Sequence, residues 1–223
     1  MKLKDTDNFV VLGPFLGAVG LLSALVLALV SDLTAQKIGE AKLRAQSAAL
    51  KQLKLPDFDN KPALETCEFE GVTFMAVRRG DALVGIAAEA ETNNGYAGKI
   101  KELVGFAPDG TITAVLVTEE KETPGLGKNA CERKFKKTIF NFFRPTPKGL
   151  PPNEILDQFT GRKADGRGNW RVKKDGGDFE YRTGATVTSR AVTELTGRAA
   201  QVFSSHRAAI AAKFGGAKPE VKR

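Results

Sequence analysis

One histidine and two cysteines are all that this 223-residue chain holds of the nitrogen and thiolate side chains that favour transition metals. A Cys/His zinc site or a four-cysteine iron–sulfur cluster cannot be assembled from so few ligands in this chain alone. His206 would have to serve as the base of any Ser/His/Asp or Cys/His triad, which argues against that chemistry. A Walker loop with its Gly-Lys-Ser/Thr ending is missing, as is a Gly-x-Gly-x-x-Gly fingerprint behind a strand, so nucleotide binding of those kinds is excluded. The formal net charge of +8 comes without a nucleic-acid module or a stripe of interleaved basic and aromatic residues, and reads as a solvated basic surface. No internal repeat is visible. If the chain does chemistry, a bound group carries it.

What is present begins with a long apolar run. From Phe9 to Val30 the sequence FVVLGPFLGAVGLLSALVLALV contains no charge, with Asp7 and Asn8 before it and Ser31 and Asp32 after. Roughly 20 apolar residues cross a hydrocarbon core, and this run has that length. A cleaved signal peptide, with Lys2 and Lys4 in front and small residues near Ala28 to Ala35, is the competing reading, and a buried soluble helix is a third. The run exceeds the usual h-region and contains Pro14 and Gly17, which favours an uncleaved single span. Lys37, Lys42, Arg44 and Lys51 after the span would by themselves keep the bulk of the chain cytoplasmic.

Leu33 to Leu53 has helix-forming composition with Ile38, Ala41, Ala45, Ala49 and Leu53 on one face, predicting a helical stalk that Pro56 and Pro62 stop. From Glu68 onward the pattern becomes β-type in GVTFMAVRRG, ALVGIAAEAET, KIKELVGFAPDG and TITAVLVTEE. Turns at Arg79-Gly80-Asp81 and Pro108-Asp109-Gly110 separate them, so an antiparallel meander is expected. Asn129 to Phe143 is predicted as a helix packing through Phe135, Ile139, Phe142 and Phe143 before Pro145 and Pro147. Pro152 to Phe159 reads as a short helix or turn, and Trp170 with Val172 as one brief strand. Val192, Leu195, Ala199, Val202 and Phe203 align on one face of a last helix within Val187 to Phe214. The fold class is α+β, organised as a short start and span over 1–32, a stalk over 33–62, one domain over 63–214 and a basic tail over 215–223.

Two stretches stand out from this scaffold. In YRTGATVTS, Tyr181 to Ser189, the hydroxyls of Thr183, Thr186, Thr188 and Ser189 crowd around Gly184 where the last helix begins. Free N–H groups and the positive end of the helix dipole suit a phosphate there, and a plain helix cap has the same look. In ETPGLG, Glu122 to Gly127, Pro124, Gly125 and Gly127 fix a tight turn whose backbone can approach another group closely, or form an ordinary strand-to-helix loop.

Together with the N-terminal span, GYAG at Gly95 to Gly98 and the hairpin LVGFAPDGTITAVLV, these motifs resemble the G subunit of the Rnf electron-transport complex, RnfG. The C subunit of the sodium-pumping NADH:quinone reductase is the near neighbour. The resemblance runs from the anchor to the last helix. It implies one FMN-binding domain with an antiparallel sheet flanked by helices, and FMN held covalently by a phosphoester at the final Thr of Asp-x-x-Ser/Thr-Gly-Ala-Thr. On this chain the acceptor is then Thr186, with Thr183, Gly184 and Ala185 before it, Val187 and Thr188 after it, and Glu180 at the position of the Asp. Thr188 is the fallback acceptor. Glu122 and Thr123 would offer polar contacts to the flavin, Leu126 an apolar one, and Tyr96 lies in the GYAG motif.

The resemblance also implies an electron-transfer protein with no catalytic side chains or metal of its own. A flavin transferase would load it from FAD, and other membrane subunits would surround it, in a complex that couples electron flow between ferredoxin and NAD to sodium or proton movement. Its place would be the bacterial inner membrane, single-pass, with the FMN domain on the periplasmic side, against the charge count above. Another anchored extracytoplasmic FMN carrier, or a non-redox envelope protein with TGATVTS as a mere cap, are the alternatives. Cys67 and Cys131 are far from any Cys-x-x-Cys spacing, leaving a disulfide or two buried thiols.

Overall fold

The computed structural model describes residues 9–135 and 149–215. The chain divides into two units, Met1–Ala45 and Gln46–Arg223. Helix α1 covers Phe9–Gln52 and so crosses that boundary in sequence. Its segment Leu12–Ala35, 24 residues, is long and apolar enough to cross a membrane. Leu21, Leu22 and Leu27 are all exposed there, and a helix that is apolar all round finds no favourable place in water. Of the stripe expected along the stalk, Ile38, Ala41 and Ala45 are exposed and only Ala49 and Leu53 are covered; Leu50, outside that stripe, is buried beside them.

In the second unit five strands, β1 Thr66–Phe69, β2 Val72–Arg79, β3 Ala82–Gly95, β4 Gly98–Phe106 and β5 Ile112–Glu119, pair in chain order as an antiparallel meander. Both expected hairpin turns are present. Asp109 accepts hydrogen bonds from the N–H and hydroxyl of Thr111 (3.0 and 2.8 Å), holding the β4–β5 turn. The expected α+β class and meander are therefore observed, with β1 added at the edge.

Alternation along the strands sorts side chains onto two faces. Val72, Phe74, Ala88, Ile100, Val104 and Phe106 face one side, where helix α4 (Thr186–Gly215) covers them with Val192, Leu195, Ala199 and Phe203. Phe203 stacks on Phe106 at 4.5 Å and lies tilted to Phe74 at 6.2 Å, the kind of large apolar contact that contributes about 2–3 kcal/mol per buried side chain. Met75, Val77, Ala87, Leu103 and Leu116 face the other side against Leu50 and Leu53. At the far end of α4 the buried Arg78 donates to the Phe214 carbonyl and pairs with Glu65 at 2.7 Å, meeting the helix C-terminus with a cation.

Two expectations need correction. The helix placed over 129–143 is, within the described residues, the short α2 Lys128–Cys131. Glu132 turns extended, and Arg133 is drawn off to the Val115 and Pro151 carbonyls (3.1 and 3.0 Å) and to Asp157 at 2.6 Å. Ile139, Phe142, Phe143, Pro145 and Pro147 lie outside the described residues. The brief strand at Trp170 and Val172 is only an isolated bridge from Val172 to Phe179, because Trp170 stacks on Phe179 (5.1 Å) instead of joining the sheet. The short helix expected near Pro152 is α3, Glu154–Asp157, capped by the Asn153 side chain. Cys67 and Cys131 are both buried free thiols.

Candidate functional site

The β3–β4 turn, the loop after β5 and the start of α4 close around a cavity of about 450 Å³. Sites for small molecules fall in this size range. Its lining is Tyr96, Glu122, Thr123, Leu126, Gly127, Gly184, Ala185, Thr186, Val187 and Thr188. Tyr96 stands at the tip of the hairpin and is 74% exposed; Leu126 and Val187 are also exposed, so the rim is apolar.

Local sequence explains each wall. Gly125 takes φ +83°, and the Leu126 and Lys128 N–H groups both donate to the Thr123 carbonyl at 3.2 Å, curling the loop into α2. Asn129 locks it by donating to the Gly125 carbonyl at 2.7 Å. On the opposite wall Gly184 sits at φ +82°, and a Cβ there would lie 3.3 Å from Leu126 Cδ2. After that turn α4 begins, and the Ser189 N–H is bonded to the Ala185 carbonyl at 2.9 Å. The N–H groups of Thr186, Val187 and Thr188 thus belong to the first helical turn, where the dipole favours an anion.

Glu122 joins these walls. It is 4% exposed, with Oε1 accepting from the Ala97 N–H (3.1 Å) and Oε2 from the Thr188 hydroxyl (2.8 Å). Its own N–H donates to Glu120 at 2.6 Å. Gly127 packs on this knot so closely that a Cβ would fall 2.3 Å from Glu122 Oε2 and 2.6 Å from Thr188 Oγ1. Gly127→Ala is therefore expected to break the knot and destabilise the domain by about 1–3 kcal/mol, read as a fall in thermal midpoint together with faster amide exchange at Ala97. An unchanged midpoint would show that the loop can shift at little cost.

The four hydroxyls at the helix start differ in what they can do. Thr188 and Ser189 are buried and engaged, Ser189 Oγ accepting the Arg182 N–H at 3.1 Å. Thr183 is exposed on the turn and does not line the cavity. Thr186 is half-buried and lines it. Behind the loop, burial and then the carboxyls of Glu120, Glu122 and Glu102 push the Cys131 thiol far up, so it is not a nucleophile. Among the described residues no group of acids, His and Cys could hold a metal ion.

Residues 95–201 match the family model of an FMN-binding domain, an interval that contains the whole cavity lining. The G subunit of the ion-translocating oxidoreductase complex of Cereibacter sphaeroides is 34% identical over 209 residues, covering 90% of this chain and 86% of that protein. The chain belongs to the RnfG family. The same subunit of Haemophilus influenzae is 32% identical over 215 residues (93% and 95% covered), and that of Salmonella typhi 34% over 182 (77% and 80%).

For a member of the RnfG family the cavity can be tested against the group its domain model names. A flavin mononucleotide needs a flat apolar slot and an anion site, and the apolar rim beside an open helix N-terminus supplies both kinds of surface. The residues fit. Of the ten residues that the motifs singled out in this RnfG-family chain, nine line the cavity and Thr183 stands outside it. Gly127, read as part of the ETPGLG turn though not among those ten, also lines it, and the Ala97 N–H and Asn129, neither of them expected there, brace it from behind. The Asn129 side chain donates to a carbonyl four residues back, which no residue pattern in the sequence marks. The Ala97 contact is main chain and leaves no signal.

Proposed function

We propose that this chain is the flavoprotein subunit of an ion-translocating oxidoreductase, carrying electrons on FMN esterified to Thr186. The observation that carries this reading is Thr186, which lines the cavity on the first turn of α4 in an FMN-binding domain of the RnfG family. In the loading step the Thr186 Oγ1–phosphorus bond forms as the pyrophosphate bond of FAD breaks. AMP and the hydroxyl proton leave, and a flavin transferase performs the exchange.

Bound there, the flavin supplies one- and two-electron redox chemistry. The chain's own residues bind and orient. The first-turn N–H groups of α4 would hold the phosphate charge, and Leu126, Val187 and Tyr96 would supply the apolar surface for the ring. No side chain is required as acid or base.

Leu12–Ala35 is the anchor in this reading, a single span of the bacterial inner membrane that keeps the carrier beside its partner subunits at high effective concentration. The FMN domain then lies on the periplasmic side, and the complex exchanges electrons between ferredoxin and NAD.

Co-production of the full chain with a flavin transferase tests the proposal. The band on a denaturing gel should fluoresce under ultraviolet light, and the tryptic peptide Thr183–Arg190 should gain the mass of FMN less water. A chain that stays dark after such co-production is not this carrier.

A further inference from the structure

Four hydroxyls stand within seven residues at the start of α4, so something must choose among them. On a helix, residues two apart point about 200° away from each other. Turning Thr188 inward therefore turns Thr186 outward. Glu122 Oε2 holds the Thr188 hydroxyl at 2.8 Å in a fully buried contact, and its other oxygen holds the Ala97 N–H beside Tyr96. One carboxylate thus fixes the rotation of the helix start and its register against the hairpin wall.

We propose that Glu122 is a positioning residue, a latch on Thr188 that presents Thr186 to the cavity as the acceptor hydroxyl. Glu122 need not touch the cofactor to do so. The packing agrees: Gly127 leaves room for nothing more than a hydrogen atom against Glu122 and Thr188, and a Cβ at Gly95 would lie 2.7 Å from Glu122 Oε1. The carboxylate is packed on two sides by glycines, each oxygen beside one of them.

The inference rests on Thr186 being the acceptor, and three full-length variants separate the two ideas. In Glu122→Gln the amide can still accept from the Ala97 N–H and donate to Thr188 Oγ1, so the latch survives. In Glu122→Ala and Thr188→Val it is lost from one side or the other. Co-produced with the transferase, Glu122→Gln should load FMN within about twofold of the parent, whereas Glu122→Ala and Thr188→Val should each fall roughly tenfold or more, as misplacement of a reacting group does. In the flavin-free protein, exchange of the Ser189 amide, which the Ala185 carbonyl holds at the helix start, should be faster in Glu122→Ala and Thr188→Val and unchanged in Glu122→Gln.

A different pattern overturns the latch. If Glu122→Gln loads as poorly as Glu122→Ala while Thr188→Val loads normally, the carboxylate acts by charge or direct contact. Normal loading in all three removes any role. If the parent itself takes no flavin, the acceptor assignment fails, and the exchange data still decide whether the latch exists.

Discussion

Replacing Thr186 with alanine is expected to leave a folded chain that carries no covalent flavin. The side chain is half-buried at the first position of α4, and no hydrogen bond to its hydroxyl is found among the described residues. Its removal takes away no hydrogen bond of the fold, and alanine is the better helix former, so stability should change by no more than about 0.5 kcal/mol. Loading should change completely, because no neighbouring hydroxyl can substitute. Thr188 is 1% exposed and bonded to Glu122, Ser189 is 0% exposed and bonded to the Arg182 N–H, and Thr183 lies outside the cavity lining. Thr186→Ser should keep the flavin. Gel fluorescence after co-production with the transferase, with the mass of the Thr183–Arg190 peptide, reads both variants. Fluorescence persisting in Thr186→Ala would move the attachment to another residue and end this assignment.

Much of this arrangement is legible in the sequence. Hairpin turns at Gly80 and Gly110 are marked by glycine, which takes φ of +60° and +87° at no steric cost. The amphipathic face of α4 from Val192 to Phe203 is the face that covers the sheet. ETPGLG and TGATVTS lie far apart along the chain, and the motifs point to one site although spacing alone could not bring them together.

What escapes is decided by long-range contacts. Strand β1, TCEF, is four residues with two on the outer face exposed, too short for periodicity to register, and it exists through pairing with β2. Helix α2 ends early because Arg133 finds carbonyls on β5 and beside α3 that no local propensity encodes. Leu50 and Leu53 look like the end of a stalk, yet the outer sheet face, with Gly105 opening space beneath Leu53, takes them as core.

Glu102 is the clearest case of a residue whose consequence only burial reveals. Alternation in KIKELVGF puts it on the same face as Ile100, Val104 and Phe106, beneath α4, and it is 0% exposed. Thr196 donates to Oε1 at 2.9 Å, while Oε2 has no partner. Burial pushes its carboxyl up to about 8, against the smaller lowering effect of the Thr196 bond. The unfolded chain releases this proton near 4.5, so between about pH 4.5 and 8 the folded state holds a proton that the unfolded state has lost. Stability rises with pH only where the unfolded state binds more protons; here it binds fewer, so stability falls as pH rises through that window.

At about 1.4 kcal/mol per unit, the one carboxyl removes on the order of 5 kcal/mol across the window, a large share of an ordinary domain's stability of about 5–15 kcal/mol. Glu102→Gln removes the titration and leaves the shape. Its thermal midpoint should be flat across that range after allowance for other groups, crossing above the wild type as the pH approaches 8. Full-length protein in detergent, melted at a series of pH values, gives the comparison. Parallel profiles for the two proteins would mean that Glu102 is ionised in the fold, which its orphaned Oε2 and lack of any cationic partner among the described residues oppose.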